Sequence, residues 1–136
     1  MNNVERTLSI IKPDAVERNL SEEIKSEFKN KGFEIIKEKK IKLDKSEAEK
    51  FYQIHQLKPF YNDLCNYLSS GPIVVMVLQK ENAIVENRKL MGATDPSKAE
   101  PETLRKKYGI SIDKNSVHGS DSLDNAKIEI DFFFTN

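Results

Sequence analysis

Apolar positions along the chain fall into unbroken runs and into stretches spaced every three or four residues. Residues 7–11 (Thr-Leu-Ser-Ile-Ile) are β-branched and apolar. They predict a buried strand that stops at Lys12-Pro13, because proline lacks the N–H a ladder needs. Leu20, Ile24 and Phe28 then recur every fourth residue, the stripe of a helix. Ser21 is its expected N-cap, Glu22 and Glu23 suit the positive end of its dipole, and Gly32 suits its end. Residues 33–43 read as a second strand whose charged middle, 37–40, fits a solvated edge. Asp44-Lys45-Ser46-Glu47 has the form of a capping box and opens a helix with Ala48, Phe51, Tyr52 and His55 on its apolar side. Pro59 fits the first turn of another helix, with Phe60, Leu64, Cys65 and Leu68 on one side and Gly71-Pro72 as its stop.

Every residue of 73–78 is apolar, which predicts a strand covered on both faces. Asn82 is the expected cap of a short helix through Ile84, Val85 and Met91. Residues 92–115 are irregular, with Pro96 and Pro101, and a loop of that length in a compact domain is commonly functional or disordered. A short strand at Val117-His118 follows. Residues 120–130 then carry Leu123, Ala126 and Ile130 at helical spacing, and 131–134 close the chain as a last strand or an apolar tail. Strands interrupted by helices, with one polar edge, predict helices covering a small sheet in an α+β or α/β arrangement.

Composition narrows the function classes. A chain of 136 residues, 38% hydrophobic and 32% charged, fits a single domain over 1–136 with a solvated surface. Its 22 basic residues match 22 acidic ones, so no net field draws in nucleic acid or an anionic membrane. No apolar run approaches the roughly 20 residues that span a bilayer. The start, Met-Asn-Asn-Val-Glu-Arg, has no signal-peptide core, so a cytoplasmic protein is expected. One cysteine, Cys65, excludes an intrachain disulfide and a thiolate-rich zinc site, and two histidines exclude a His-rich metal centre.

The segment Asn115-Ser116-Val117-His118-Gly119-Ser120-Asp121 carries the clearest chemistry. An imidazole is a nucleophile near neutral pH. Beside Gly119 and the expected start of a helix, whose free N–H groups favour an anion, it can attack a phosphoryl group. A capped turn with a surface histidine is the competing reading. Lys12, Arg88 and Arg105 could complete a phosphate site, and Glu129 could hold one ring nitrogen of His118. Each is otherwise an ordinary solvated charge. Phe60 and Tyr52 could offer a face for a base or a hydroxyl for a phosphate, or simply fill the core. Neither G-x-x-x-x-G-K-[ST] nor G-x-G-x-x-G occurs, so a nucleotide would bind without those loops.

The run Asn-x-x-His-Gly-Ser-Asp-Ser at 115–122 resembles the active-site signature of nucleoside diphosphate kinases. Glu5-Arg6-Thr7 through Lys12-Pro13-Asp14-Ala15-Val16, Ser70-Gly71-Pro72 before an apolar strand, and Met91-Gly92-Ala93-Thr94 before Pro96 are similar to that family in order and spacing. The resemblance spans residues 4–134. It implies a ferredoxin-like α+β domain, a four-stranded antiparallel sheet covered by helices. It also implies transfer of the γ-phosphoryl group of a nucleoside triphosphate, mainly ATP, to a nucleoside diphosphate through phosphohistidine.

By the same resemblance His118 is the nucleophile, through Nδ1, and Glu129 orients it. Lys12 reaches phosphates and the sugar 3′-hydroxyl, Asn115 holds the sugar, and Arg88, Thr94 and Arg105 are phosphate ligands. Phe60 stacks on the base with Leu64 and Ile112 beside it, and Tyr52 lies near the imidazole. Mg²⁺ comes bound to the nucleotide phosphates, and a homo-oligomer, tetramer or hexamer, is implied. The chain lacks the C-terminal extension of longer members, which bears on which oligomer forms. Asp95 and Glu102 depart from the family pattern and are expected to add negative charge to the loop that embraces phosphates. A non-catalytic nucleotide-binding or interaction module on the same fold is the alternative. An RNA-binding module would want a basic, aromatic sheet face that the balanced charge does not supply.

Overall fold

The computed structural model describes residues 4–112 and 114–134; the first three residues of the N-terminal stretch considered above lie outside it. Four strands, β1 (Val4–Ile11), β2 (Glu34–Ile41), β3 (Ile73–Glu81) and β4 (Val117–Gly119), form one sheet in the order β2-β3-β1-β4. Every neighbouring pair is antiparallel, which is the α+β arrangement the family resemblance implies. β1 and β3 fill the centre and pair along their length, from Val4 opposite Glu81 to Ile11 opposite Val74.

The alternation of β3 splits the core in two. Val74, Met76 and Leu78 pack with Ile24 and Phe28 of α2 (Ser21–Asn30) and with Leu90 and Met91 of α5 (Ala83–Met91). Ile73 and Val75 pack on the other face with Ala48 of α3 (Lys45–Phe51) and with Cys65 and Leu68 of α4 (Tyr61–Leu68). Fully burying such side chains contributes about 1.5–3 kcal/mol each, so β3 anchors both layers. β2 is the polar edge that its sequence suggests. It is exposed from Lys37 to Lys40 and irregular in register between Ile35 and Lys37. The capping box of α3 forms as expected: Asp44 Oδ1 accepts from the Glu47 N–H, and Glu47 Oε1 accepts from the Asp44 N–H.

Several expectations fail at element ends, where tertiary contacts override local signals. Ser21 is the first residue of α2 rather than its cap, and Leu20 precedes it without a side-chain cap. Pro59 lies two residues before α4. Pro13 does more than stop β1: it opens a short helix, α1 (Pro13–Glu17), occupying the first helical position where its missing N–H costs nothing. Asn82 takes a left-handed backbone without capping α5, and Glu5 Oε1 accepts from the Ile84 N–H instead. The long segment after α5 is ordered by a 3₁₀ turn (Pro96–Lys98) and by α6 (Leu104–Tyr108). Lys107 and Tyr108 of α6 both donate to Glu27 of α2, tying the segment to the body. α7 (Leu123–Phe134) runs through residues 131–134, which form neither strand nor tail. Ala126, Ile130 and Phe133 continue one helical stripe, and Phe133 is buried against the α3 layer.

Gly119 is explained by packing. A Cβ there would lie 2.3 Å from Asn87 Nδ2 and 2.8 Å from Met91 Cε, so β4 can approach α5 only without a side chain at this position. Gly119→Ala should therefore lower stability by about 1–3 kcal/mol, the usual cost of overpacking. The loss should appear as a lower urea midpoint with an unchanged slope. A midpoint equal to that of the native protein would mean that α5 yields without cost.

Candidate active site

His118 is the middle residue of β4, directly opposite Ile10 of β1. The helix expected from residue 120 begins three residues later: α7 starts at Leu123, with the Ser122 hydroxyl accepting from the Asn125 N–H. What holds the ring is Glu129 on α7: Nε2 of His118 lies 3.1 Å from Glu129 Oε1. The same oxygen accepts from the Ser120 hydroxyl at 2.7 Å, which fixes the carboxylate, and Ser120 Oγ accepts from the Leu8 N–H of β1. Nδ1 of His118 has no hydrogen-bond partner among the described residues. A ring held at Nε2 with Nδ1 unoccupied offers its lone pair at Nδ1.

The cavity in front of His118 has a volume of about 600 Å³ and is lined by all eleven residues singled out in the sequence. Lys12 comes from the end of β1, and Arg88 from α5. Thr94, Arg105, Ile112 and Asn115 come from the segment between α5 and β4. Tyr52 follows α3, Phe60 immediately precedes α4 and Leu64 lies within it. The α4 stripe expected to face the core therefore divides: Cys65 and Leu68 are fully buried, whereas Phe60 is 45% exposed at the cavity wall. A wider depression of about 800 Å³, lined by residues such as Glu17, Lys40 and Ser70, collects none of the eleven, so size does not identify the site.

The cavity wall carries three basic side chains, Lys12, Arg88 and Arg105. Burial, together with the neighbouring positive Arg88, brings the Arg105 guanidinium down to about 10, so it stays charged at neutral pH. Arg105 donates to the carbonyls of Gly92 and Val117, both at 3.0 Å, and its Nε is buried without a partner. Two crowded guanidiniums repel each other, and a bound anion relieves that repulsion. Lys12 Nζ donates to Asn115 Oδ1 at 2.9 Å, and Asn115 Nδ2 donates to the Thr94 carbonyl at 3.1 Å. Burial drives the Tyr52 hydroxyl well above its usual range, so it remains a donor.

Neither Asp95 nor Glu102 lines the cavity. Asp95 instead caps the 3₁₀ turn, its Oδ1 accepting from the backbone N–H and the hydroxyl of Ser97. Those bonds hold its carboxyl below the usual range. Glu102 is exposed at a separate, smaller cleft near Lys31 and Phe33.

Sequence reasoning missed several residues of the wall: His55, Met91, Asp121 and Asn125. Burial and then Lys58 push the His55 imidazole down, and its buried Nδ1 lacks a partner. A hydrogen bond from Asn125 Nδ2 at 2.6 Å holds the Asp121 carboxyl below its usual range. Asp121 lay inside the signature itself, the one signal that could have flagged it. For the other three, only proximity in the folded chain reveals the role.

Comparison with known proteins gives the same assignment along the whole chain. A family model described as nucleoside diphosphate kinase matches residues 5–136. A nucleoside diphosphate kinase of Nitratiruptor sp. is 56% identical over 131 residues, covering 96% of each chain. One from Campylobacter hominis is 56% identical with the same coverage. Among solved structures, the nucleoside diphosphate kinase of Aquifex aeolicus superimposes with a TM-score of 0.95 at 39% identity, covering 98% of this chain and 96% of that one. The enzyme of Encephalitozoon cuniculi gives 0.93 at 35% identity, over 97% and 90%. With the fold, the cavity and these relatives in agreement, the chain belongs to the nucleoside diphosphate kinase family and is a phosphotransferase acting on nucleotides.

Proposed function

We propose that the chain, as a single domain over 1–136, moves the γ-phosphoryl group of a nucleoside triphosphate, mainly ATP, onto a nucleoside diphosphate in two half-reactions through phosphohistidine at His118. The observation that carries this reading is the imidazole held at Nε2 by Glu129, with Nδ1 unpaired in a cavity that also gathers Lys12, Arg88 and Arg105. In the first half-reaction the Nδ1 lone pair attacks the γ-phosphorus. The Nδ1–P bond forms as the bond to the β,γ-bridging oxygen breaks, and the diphosphate leaves with that electron pair. In the second, a terminal oxygen of another nucleoside diphosphate attacks the same phosphorus and Nδ1 recovers its electrons.

Glu129 stabilises the positive charge that develops on the ring, while Lys12 and the two arginines neutralise the transferring oxygens. Phe60, with Leu64 and Ile112, stacks on the base without reading its edges, which gives broad base tolerance. Asn115 and Lys12 hold the sugar, and Thr94 and Tyr52 add polar contacts to the phosphates. Mg²⁺ would come bound to the nucleotide phosphates and would help neutralise their charge. The ionised Asp121 on the wall suits the water shell of such a hard cation. The reading fits a cytoplasmic homo-oligomer, tetramer or hexamer, with exposed Ile110, Ile128 and Phe132 as apolar surface for subunit contacts. Among the described residues no helix is long and apolar enough to cross a membrane.

Incubation with γ-labelled ATP and Mg²⁺, then a chase with GDP, should give an acid-labile, alkali-stable label on the protein that passes to GTP and is absent from His118→Ala. An unlabelled native protein that still binds ADP would overturn the reading in favour of a binding module. Phe60→Ala should weaken nucleotide binding by roughly 1–3 kcal/mol, the worth of a stacked base, as measured by calorimetry. An unchanged dissociation constant would put the base elsewhere. In ¹⁵N spectra the neutral His118 ring should be the Nε2–H tautomer, with Nδ1 in the unprotonated range, and Glu129→Ala should mix the two tautomers. A mixed population in the native protein would remove Glu129 as the orienting group.

A further inference from the structure

Ser116 is buried two residues before His118 and takes a backbone conformation that side-chain-bearing residues avoid, with φ at +73°. The Val117 N–H donates to the Asn115 carbonyl at 2.9 Å, across Ser116. A hydrogen bond from i+2 to i with positive φ between them is a γ-turn of the rare, strained kind. Such a conformation persists only where its surroundings over-determine it.

The surroundings here are specific. The Ser116 hydroxyl donates to Asp14 Oδ2 at 2.8 Å and accepts from Arg18 Nη2 at 3.2 Å. Arg18 also pairs with Asp14 at 3.1 Å and donates to the Tyr108 carbonyl at the end of α6. The other oxygen of Asp14 accepts from the Tyr67 hydroxyl, and the Asp14 N–H donates back to Tyr67. From the opposite side the Lys12 N–H donates to the Ser116 carbonyl at 2.8 Å. Both oxygens of Ser116, hydroxyl and carbonyl, are thus engaged.

We propose that the Ser116 hydroxyl, clamped by Asp14 and Arg18, is a positioning group for phosphoryl transfer. It maintains the γ-turn that sets the Asn115 amide against Lys12 and Thr94 and that starts the strand carrying His118. The inference rests on the reading of Asn115 and His118 given above. Ser116 and Asp14 touch no substrate in this scheme; they act through Asn115.

Two substitutions at one position separate this role from plain stabilisation. Ser116→Ala removes the clamp but keeps the Cβ that disfavours positive φ, so the turn should relax. The value of kcat/KM for the diphosphate should then fall by about ten- to a hundredfold, the scale on which misplacing a positioned group acts. Ser116→Gly also lacks the hydroxyl but adopts positive φ freely, so it should recover most of that loss. Asp14→Asn should impair the native background and have a much smaller effect in the Ser116→Gly background, since its influence runs through the turn. All are assayed well below their unfolding temperatures, with Asn115→Ala alongside. Native kinetics in Ser116→Ala, or equal impairment in Ser116→Ala and Ser116→Gly, would overturn the clamp. Native kinetics in Asn115→Ala would instead remove the role of Asn115, whatever Ser116 does.

Discussion

His118 sits opposite Ile10 in a ladder of only three residues, and so short a strand cannot hold itself in place. Its position depends on the long, doubly covered pair of β1 and β3, to which β4 is appended. β1 is thus the reference frame of the site. Its inner residues Leu8 and Ile10 are fully buried, its end delivers Lys12 to the cavity, and its Leu8 N–H bonds the serine that fixes Glu129. His118, Glu129 and Lys12 are all located relative to one strand. That common reference is the kind of preorganisation that phosphoryl transfer needs, since catalysis there is mostly positioning and charge neutralisation.

The second constraint is electrostatic. A chain with no net charge still assembles a positive cavity by drawing Lys12, Arg88 and Arg105 from distant parts of the sequence. Burial first, and then the neighbouring Arg88, lower the Arg105 guanidinium from its ordinary value. The carbonyls of Gly92 and Val117 hold the buried Arg105 in place. The loop acids stand away from the cavity wall: Asp95 is occupied in a turn and Glu102 lies outside the cavity. Attraction for a polyphosphate is therefore local, as the balanced composition requires.

Legibility differed by kind of feature. Residue chemistry makes Lys12, Tyr52, Phe60, Arg88, Arg105, His118 and Glu129 candidates, the resemblance to a known family adds Leu64, Thr94, Ile112 and Asn115, and the folded chain gathers all eleven around one cavity. The residues alone, without that likeness, left His118 divided between a nucleophile and a surface turn, because spacing carries no information about which distant side chains arrive beside it. His55, Met91 and Asn125 had no local signal at all. Gly119 serves close packing against Asn87 and Met91, which an isolated Gly-Ser-Asp reading cannot distinguish from a ligand-binding turn.

What the sequence determined by itself is what short-range physics enforces: the all-apolar run 73–78 that forms most of β3, the Asp44–Glu47 capping box, the stripe of α2 and the polar edge of β2. These depend on hydrogen bonds and burial within a few residues. Tertiary structure decided the rest: the extension of α7 through residue 134, the cap of α5 by Glu5, the left-handed turn at Ser116 and the meeting of Lys12 with Asn115. Most of these rest on bonds between residues about 80 to 100 positions apart, and α7 on the burial of Phe133 against the α3 layer. No local pattern encodes such contacts, and they exist only once the sheet has brought its strands together.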